Sequence, residues 1–305
     1  MRDGWHEAEV QVRALLRDGA ATASIADGRF ERIERGLANH AWRVTATTGT
    51  RRFVRLASAT AGEVGADLDA EASVLRQVAA AGLAPGVVRC DPTSRLLVTE
   101  WIEGICGDDA ALERVTVITL VAQALQKLHA LTPVPGLREV RFEHQAVRLQ
   151  AALPEAMDAP ALEAIAPGVF AALGATVRPR VLCHHDVHAE NMVIDPARRL
   201  WLVDWEYTGL GDPVFDLASF ASQHVLSPAE SRLLHASYVE AGGEVPWPRL
   251  VLAGWAFDYV QWLWYRTLAA RSGAHARQST ARERAAALQD SLAARASAVL
   301  RCNND

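Results

Sequence analysis

Residues 181–220 read VLCHHDVHAENMVIDPARRLWLVDWEYTGLGDPVFDLASF, with polar and charged groups set between two short runs of strand character. Apolar Val181, Leu182 and Cys183 lead into His184, His185 and Asp186; Asn191 follows, and Met192, Val193 and Ile194 form a second apolar run. Residues 196–199 carry turn signals, and residues 200–203 run back as a strand into Asp204. Such a hairpin sets Asn191, at the start of one strand, beside Asp204, at the end of the other. Two hard oxygen ligands on adjoining strand ends suit Mg2+, which takes one or two protein ligands and completes its shell with phosphate and water oxygens. Asp186, on the loop just before, is placed to accept a proton from a hydroxyl. A base, a metal pair and little covalent work for the protein make up the arrangement of phosphoryl transfer.

Two motifs here resemble a known family. HHDVHAEN (184–191) is similar to the HxDxxxxN catalytic loop, and VDWEYTGLGDPVFDLA (203–218) to the metal-binding loop, of the aminoglycoside phosphotransferase and choline kinase superfamily. DWEY followed by GDPxFDLASF looks most like the bacterial choline kinase and thiamine kinase branch. The resemblance implies a protein-kinase-like α+β fold, with a small antiparallel-sheet N-lobe over residues 1–102 and a mostly helical C-lobe over residues 103–305. It implies an ATP- and Mg2+-dependent kinase acting on the hydroxyl of a small cationic alcohol. Choline comes first and thiamine second, with ethanolamine or an aminoglycoside behind them. Asp186 is then the base, Asn191 and Asp204 the metal ligands, and Asp216 the anchor of the catalytic loop through hydrogen bonds. His184, two residues before the base, reads as a brace for that loop. If the strand persists past Asp204, Glu206 points to the same side and reaches the metal or a substrate cation.

The rest of the composition bounds the alternatives. At 305 residues and 50% hydrophobic the chain can bury a sizeable core, and a net charge of -5 leaves no basic footprint for nucleic acid. Cys90, Cys106, Cys183 and Cys302 form no CxxC pair, which argues against a disulfide framework or structural zinc and for a reducing compartment. MRDGWHEAEV lacks an apolar signal core, and residues 252–270, the longest apolar run, are interrupted by Asp258, Gln261 and Arg266. A cytoplasmic protein with no membrane partner is the expectation.

Residues 10–16 carry an amphipathic helical pattern, and residues 30–33, 41–47 and 53–56 alternate like strands. Between the first two of these strands lies Gly36-Leu37-Ala38-Asn39-His40. By its residues this is a plain hairpin turn, since it lacks the several glycines of a phosphate cradle. The resemblance reverses that preference and implies a turn over the nucleotide phosphates, with Gly36 and Asn39 in it. It likewise implies that Arg55 faces the phosphates and pairs with Glu71, although Arg51 and Arg52 stand close to the first and Asp67 and Asp69 to the second. An arginine fork suits phosphate because it engages two oxygens at once. Two further strands, residues 87–90 and 95–101, end in TEWIEG, where the resemblance puts the backbone of Glu100 to Ile102 against adenine.

A long helical pattern covers residues 110–131, and residues 142–173 read as two helices parted near Pro160. His129 reads as packed or capping. Later, Trp255, Tyr259 and Trp262 recur at helical spacing, with Trp264 and Tyr265 widening the aromatic surface. Such a stripe is commonly core, but aromatic faces also hold quaternary ammonium groups. The resemblance implies Tyr207, Trp262 and Trp264 for the cation. Neutral Gln223, where related eukaryotic enzymes tend to carry an acid, sets this chain apart from them. Two readings from other classes compete. HHDVH is dense in metal ligands, as in a metallohydrolase, but that leaves Asn191, DWE and GDPxFD without a role. A non-catalytic pseudokinase has no need of base and metal ligands together.

Overall fold

The chain divides into two compact units, one made of residues 1–124, 133–138 and 188–209 and the other of residues 125–132, 139–187 and 210–305. A computed structural model describes all residues except 1, 34–38, 108, 110, 154–158, 176–178, 272–274 and 303–305.

Strand alternation builds the first unit. β1 (Arg29–Ile33), β2 (His40–Thr45), β3 (Arg51–Leu56), β4 (Val87–Asp91) and β5 (Leu96–Glu100) form an antiparallel sheet in the order 1-2-3-5-4. Trp42 stands opposite Val54, and Val54 opposite Val98, which makes one apolar layer across three strands. These side chains, with Val44, Leu56 and Leu96, join Val12 and Leu16 of α1 (Arg2–Arg17) in a single core cluster. A side-chain period of two turns Arg55 to the other face, where it meets Glu71 of α2 (Leu68–Ala80). Asp67 caps α2 by accepting a hydrogen bond from the Ala70 N–H at 2.9 Å, which satisfies one open donor of the first turn.

A smaller sheet of the same unit joins β6 (Ile105–Cys106), β8 (Met192–Ile194) and β9 (Leu200–Leu202). The expected hairpin is formed: Met192 pairs with Leu202, and the Val203 N–H donates to the Asn191 carbonyl at 3.0 Å. Asn191 therefore stands across from Val203, one residue short of Asp204. The Leu202 N–H donates to the Leu83 carbonyl (2.7 Å), which ties the hairpin to the loop after α2.

The second unit is mostly helical. α3 (Arg114–His129) begins in the first unit and ends here; α4 (Phe142–Ala151) and α5 (Pro160–Gly174) are the helix pair expected on either side of Pro160. β7 (Val181–Cys183) pairs with β10 (Gly209–Gly211), and α6 (Val214–Gln223), α7 (Pro228–Glu240), α8 (Trp247–Arg271) and α9 (His275–Cys302) complete the unit. α8 packs against α4, α5, α6 and α9. Trp255, Tyr259 and Trp262 are fully buried on it. Trp255 and Tyr259 stack with centroids 5.4 Å apart, and the Trp255 indole N–H donates to the Leu292 carbonyl of α9 at 3.1 Å. A buried indole needs such an acceptor. The fold class is thus α+β, an antiparallel sheet followed by helices, as expected. Gly36, and Gly273 between α8 and α9, lie outside the described residues. Among the described residues no helix is long and apolar enough to cross a membrane.

Candidate active site

The first unit gathers three of the expected residues, Glu71, Asp204 and Glu206, around the Arg55 guanidinium. Arg55 is 3% exposed; it pairs with Glu71, donates to Asp204 Oδ1 at 2.5 Å, and has Glu206 at 3.7 Å. Burial alone works against its charge, but the carboxylates of Glu71, Asp204 and Glu206 outweigh that and hold the guanidinium more firmly protonated than usual. Burial pushes the Glu71 carboxyl above its ordinary range in spite of Arg55. The neighbouring arginines do something else: Arg51 pairs with exposed Glu103, and Arg52 donates to the Arg51 carbonyl. Of the competing acids, Asp67 caps α2, so Glu71 is the partner.

Asp204 keeps 35% of its side chain exposed and Asn191 is 5% exposed. Both offer hard oxygens from adjoining ends of the β8–β9 hairpin, a donor set that fits Mg2+. The strand does not persist past Asp204, as the placing of Glu206 beside the metal or a cation assumed. β9 ends at Leu202, and Asp204 takes a φ of +63°, a left-handed backbone that breaks the alternation. Glu206 consequently turns inward. It is 4% exposed and accepts from the Asn39 side-chain amide at 3.0 Å, with burial first and the Asp204 charge second pushing its carboxyl up to about 7. Asn39 in turn accepts from the Ser58 N–H at 3.0 Å. Glu100 is the last residue of β5, its N–H given to the Gly86 carbonyl (2.8 Å), and Ile102 lies in the irregular chain beyond.

The second unit builds the catalytic loop on Asp216, which is fully buried in α6. Its carboxylate accepts from the His184 N–H (2.9 Å) and the His185 N–H (2.8 Å), and lies 3.1 Å from His129 Nε2. Burial would raise this carboxyl, but the hydrogen bond from His129, the nearby His185 and the loop amides hold it far below the usual range. His129 reaches Tyr238 Oη with its other nitrogen (2.9 Å). His184 Nδ1 accepts from the Asp186 N–H at 3.3 Å, so the half-buried Asp186 is held through its backbone. His185 sits at φ +66°, a strained backbone that the two flanking bonds to Asp216 hold in place. His129 is packed, as expected, but its partners Asp216 and Tyr238 are what sequence reasoning missed. The available signal was a histidine on the apolar face of α3, which must find a polar partner when buried. Asp212 accepts from the Val214 N–H at the start of α6 and pairs with Arg249, away from any catalytic role.

The expected aromatic cage is only partly available. Trp262 is fully buried, and the Arg266 guanidinium lies 5.0 Å above its ring, so its face already carries a cation from the protein. Trp264 is half-buried and meets Tyr265 edge-on at 4.9 Å; Tyr207 is half-buried in the first unit. The histidine-rich alternative finds no support: among the described residues, the cluster close enough to hold an ion is His129, Cys183 and Asp216, which contains none of His184, His185 and His188.

The chain is 25% identical to a choline/ethanolamine kinase family protein of Mesorhizobium loti, with a TM-score of 0.75 over 95% of this chain and 98% of that one. It shares the fold of choline kinase LicA from Streptococcus pneumoniae at 20% identity, with a TM-score of 0.68 over 86% of this chain and 93% of that one. Among curated proteins it is 41% identical over 56 residues to protein LicA of Haemophilus influenzae, 18% of this chain and 21% of that one. The chain thus spans about a fifth of the length of that relative. Residues 29–257, the whole of the five-stranded sheet, the β8–β9 hairpin and the 184–191 loop included, match the profile of the phosphotransferase enzyme family, and the chain belongs to that family.

Proposed function

We propose that the protein transfers the γ-phosphoryl group of ATP to the hydroxyl of a small cationic alcohol, with choline as the first acceptor and thiamine as the second. The observation that carries this is a buried guanidinium, Arg55, reaching both Glu71 and the half-exposed Asp204. A fork-shaped cation beside a metal-type carboxylate is what polyphosphate binding requires. Residues 1–102 form the nucleotide-binding lobe, with the backbone of Glu100 and Ile102 toward adenine, and residues 103–305 the catalytic and acceptor lobe. Asn191 and Asp204 supply the ligands for Mg2+, which when bound neutralises charge developing on the phosphate oxygens.

Asp186 accepts the hydroxyl proton as the new O–P bond forms, and ADP departs with the electrons of the broken P–O bond. His184 and Asp216 hold the backbone at and just before that base, so its carboxylate is positioned before the acceptor arrives. Tyr207 and Trp264 are the half-buried rings left to meet the acceptor's cation. The likenesses to a choline kinase and to a choline/ethanolamine kinase family protein support this acceptor class.

The test is a coupled ADP-release assay across choline, thiamine, ethanolamine and kanamycin, with and without Mg2+. Acceptor-dependent release with choline is expected, and Asp186→Asn should lower kcat by about 10²–10⁴-fold with the melting temperature unchanged. Release with none of the four acceptors, or full turnover in Asp186→Asn, refutes the proposal.

A further inference from the structure

We infer that Asn39 and Glu206 form a clasp that positions the chain entering β2 against the loop carrying Asp204, so that Glu206 serves the nucleotide and not the acceptor. This rests on the reading of the first unit as nucleotide-binding.

Both ends of the Asn39 amide are engaged. Oδ1 accepts from the Ser58 N–H, just past β3, and Nδ2 donates to Glu206 Oε2, each at 3.0 Å. The two bonds fix each other's polarity. A backbone N–H can only donate, so the amide oxygen must face Ser58, which leaves the NH2 for the carboxylate. Turning the amide over sets donor against donor and acceptor against acceptor. Glu206 is pinned on its other side too, because its carbonyl accepts from the Asp67 N–H at 2.7 Å, where α2 begins. Arg55, which holds Asp204, lies 3.7 Å from the same carboxylate.

Four segments therefore meet at these two residues: the chain entering β2, the end of β3 and the loop after β9 through the amide–carboxylate pair, and the start of α2 through the Glu206 backbone. The partners are 167 positions apart in sequence, which excludes a merely local turn. A carboxylate 4% exposed and held from these directions is no ligand for a dissolved cation. Its effect is to fix where Asp204 stands relative to the residue that opens β2. Asn39 and Glu206 are thus positioning residues, and their loss should appear in nucleotide affinity while acceptor affinity stays constant.

The experiment measures Mg–ADP affinity by titration calorimetry on the full chain without acceptor, and the KM for choline in the ADP-release assay. It compares wild type, Asn39→Ala, Glu206→Ala, the double variant and Glu206→Gln. Each single alanine variant should bind Mg–ADP about tenfold more weakly, as for the loss of one hydrogen bond to a charged group. The double variant should be little worse than either single one, the mark of a coupled pair. Glu206→Gln, whose Oε1 still accepts from Asn39, should recover most of the affinity, and the choline KM should not move in any of them. A raised choline KM in Glu206→Ala with intact Mg–ADP affinity overturns the inference, because Glu206 then faces the acceptor. So do additive losses in the double variant. If wild type binds no Mg–ADP, the nucleotide reading of the unit fails and the clasp with it; if wild type binds and the variants bind equally well, the clasp alone fails. Should Glu206→Ala not fold, Asn39→Ala decides by the same two measurements.

Discussion

Replacing Asp216 with asparagine tests the catalytic-loop support most directly. The wild-type carboxylate is fully buried and accepts from the amides of His184 and His185, at 2.9 and 2.8 Å, with His129 Nε2 at 3.1 Å. Asparagine is nearly the same size but keeps one acceptor oxygen and puts an NH2 in place of the other. With its oxygen toward His185, that NH2 meets the His184 N–H and His129, donor against donor. Two hydrogen bonds to a charged group are lost, at about 1.5–3 kcal/mol each, which gives a destabilisation of about 3–6 kcal/mol. At about 2 °C per kcal/mol for a chain of this size, the melting temperature should fall by roughly 6–12 °C. The pH dependence supplies a second readout. Because the folded-state pKa of Asp216 lies below its unfolded value, its contribution is complete above about pH 4–5 and is lost as pH falls toward the folded value. Thermal melts from pH 7.5 down to pH 3 should show a shallower acid slope in Asp216→Asn than in wild type. A melting temperature within about 2 °C of wild type together with equal acid slopes would refute the role given to this carboxylate.

Three further outcomes can be checked with the same protein. Arg55→Met leaves Glu71, 1% exposed, without its cation, and denaturant unfolding should show a loss of about 3–5 kcal/mol at pH 8 that shrinks as the pH is lowered, because burial, which already pushes the Glu71 carboxyl up, favours its protonated form once the cation is gone. Gly211→Ala brings a Cβ to 2.3 Å from His185 Cε1 and 3.2 Å from Cys183 Sγ; the overpacking should lower stability by about 1–3 kcal/mol and reduce kcat through the displaced loop, and normal values for both would contradict the packing. Trp262→Phe should leave the choline KM unchanged while lowering the melting temperature, and Trp264→Ala should raise that KM by about two- to fivefold, the worth of an exposed cation–π contact; the reverse pattern would place Trp262 among the substrate residues.

What the sequence made legible was chemistry confined to short spans. His184 to Asn191 and the β8–β9 hairpin occupy consecutive positions, so turn signals and alternation were enough to bring Asn191 near Asp204. The β-sheet was legible for the same reason, each of its strands being a short alternating run beside a turn. Long-range partners were not. Asn39 and Glu206 are 167 positions apart, and His129 and Asp216 are 87 apart; no local pattern links either pair. The direction of Glu206 was not legible because an alternation rule was carried past Leu202, while Asp204 leaves the strand conformation. The cover over Trp262 left a signal: Arg266 stands one helical turn later on α8, in position to reach the ring.

The left-handed backbone at Asp204 bears on how the chain can change by mutation. At a φ of +63° most side chains are strained, while glycine and asparagine are the residues that settle there most readily. Both are one base change away from an aspartate codon. Either replacement removes the carboxylate proposed to hold Mg2+, yet the backbone accepts it at little or no cost, and Arg55 keeps Glu71 as a partner. The shortest evolutionary route from this enzyme to a folded, inactive paralogue therefore runs through a single nucleotide at this position, and such a descendant would be recognised by an intact catalytic loop followed by NWEY or GWEY.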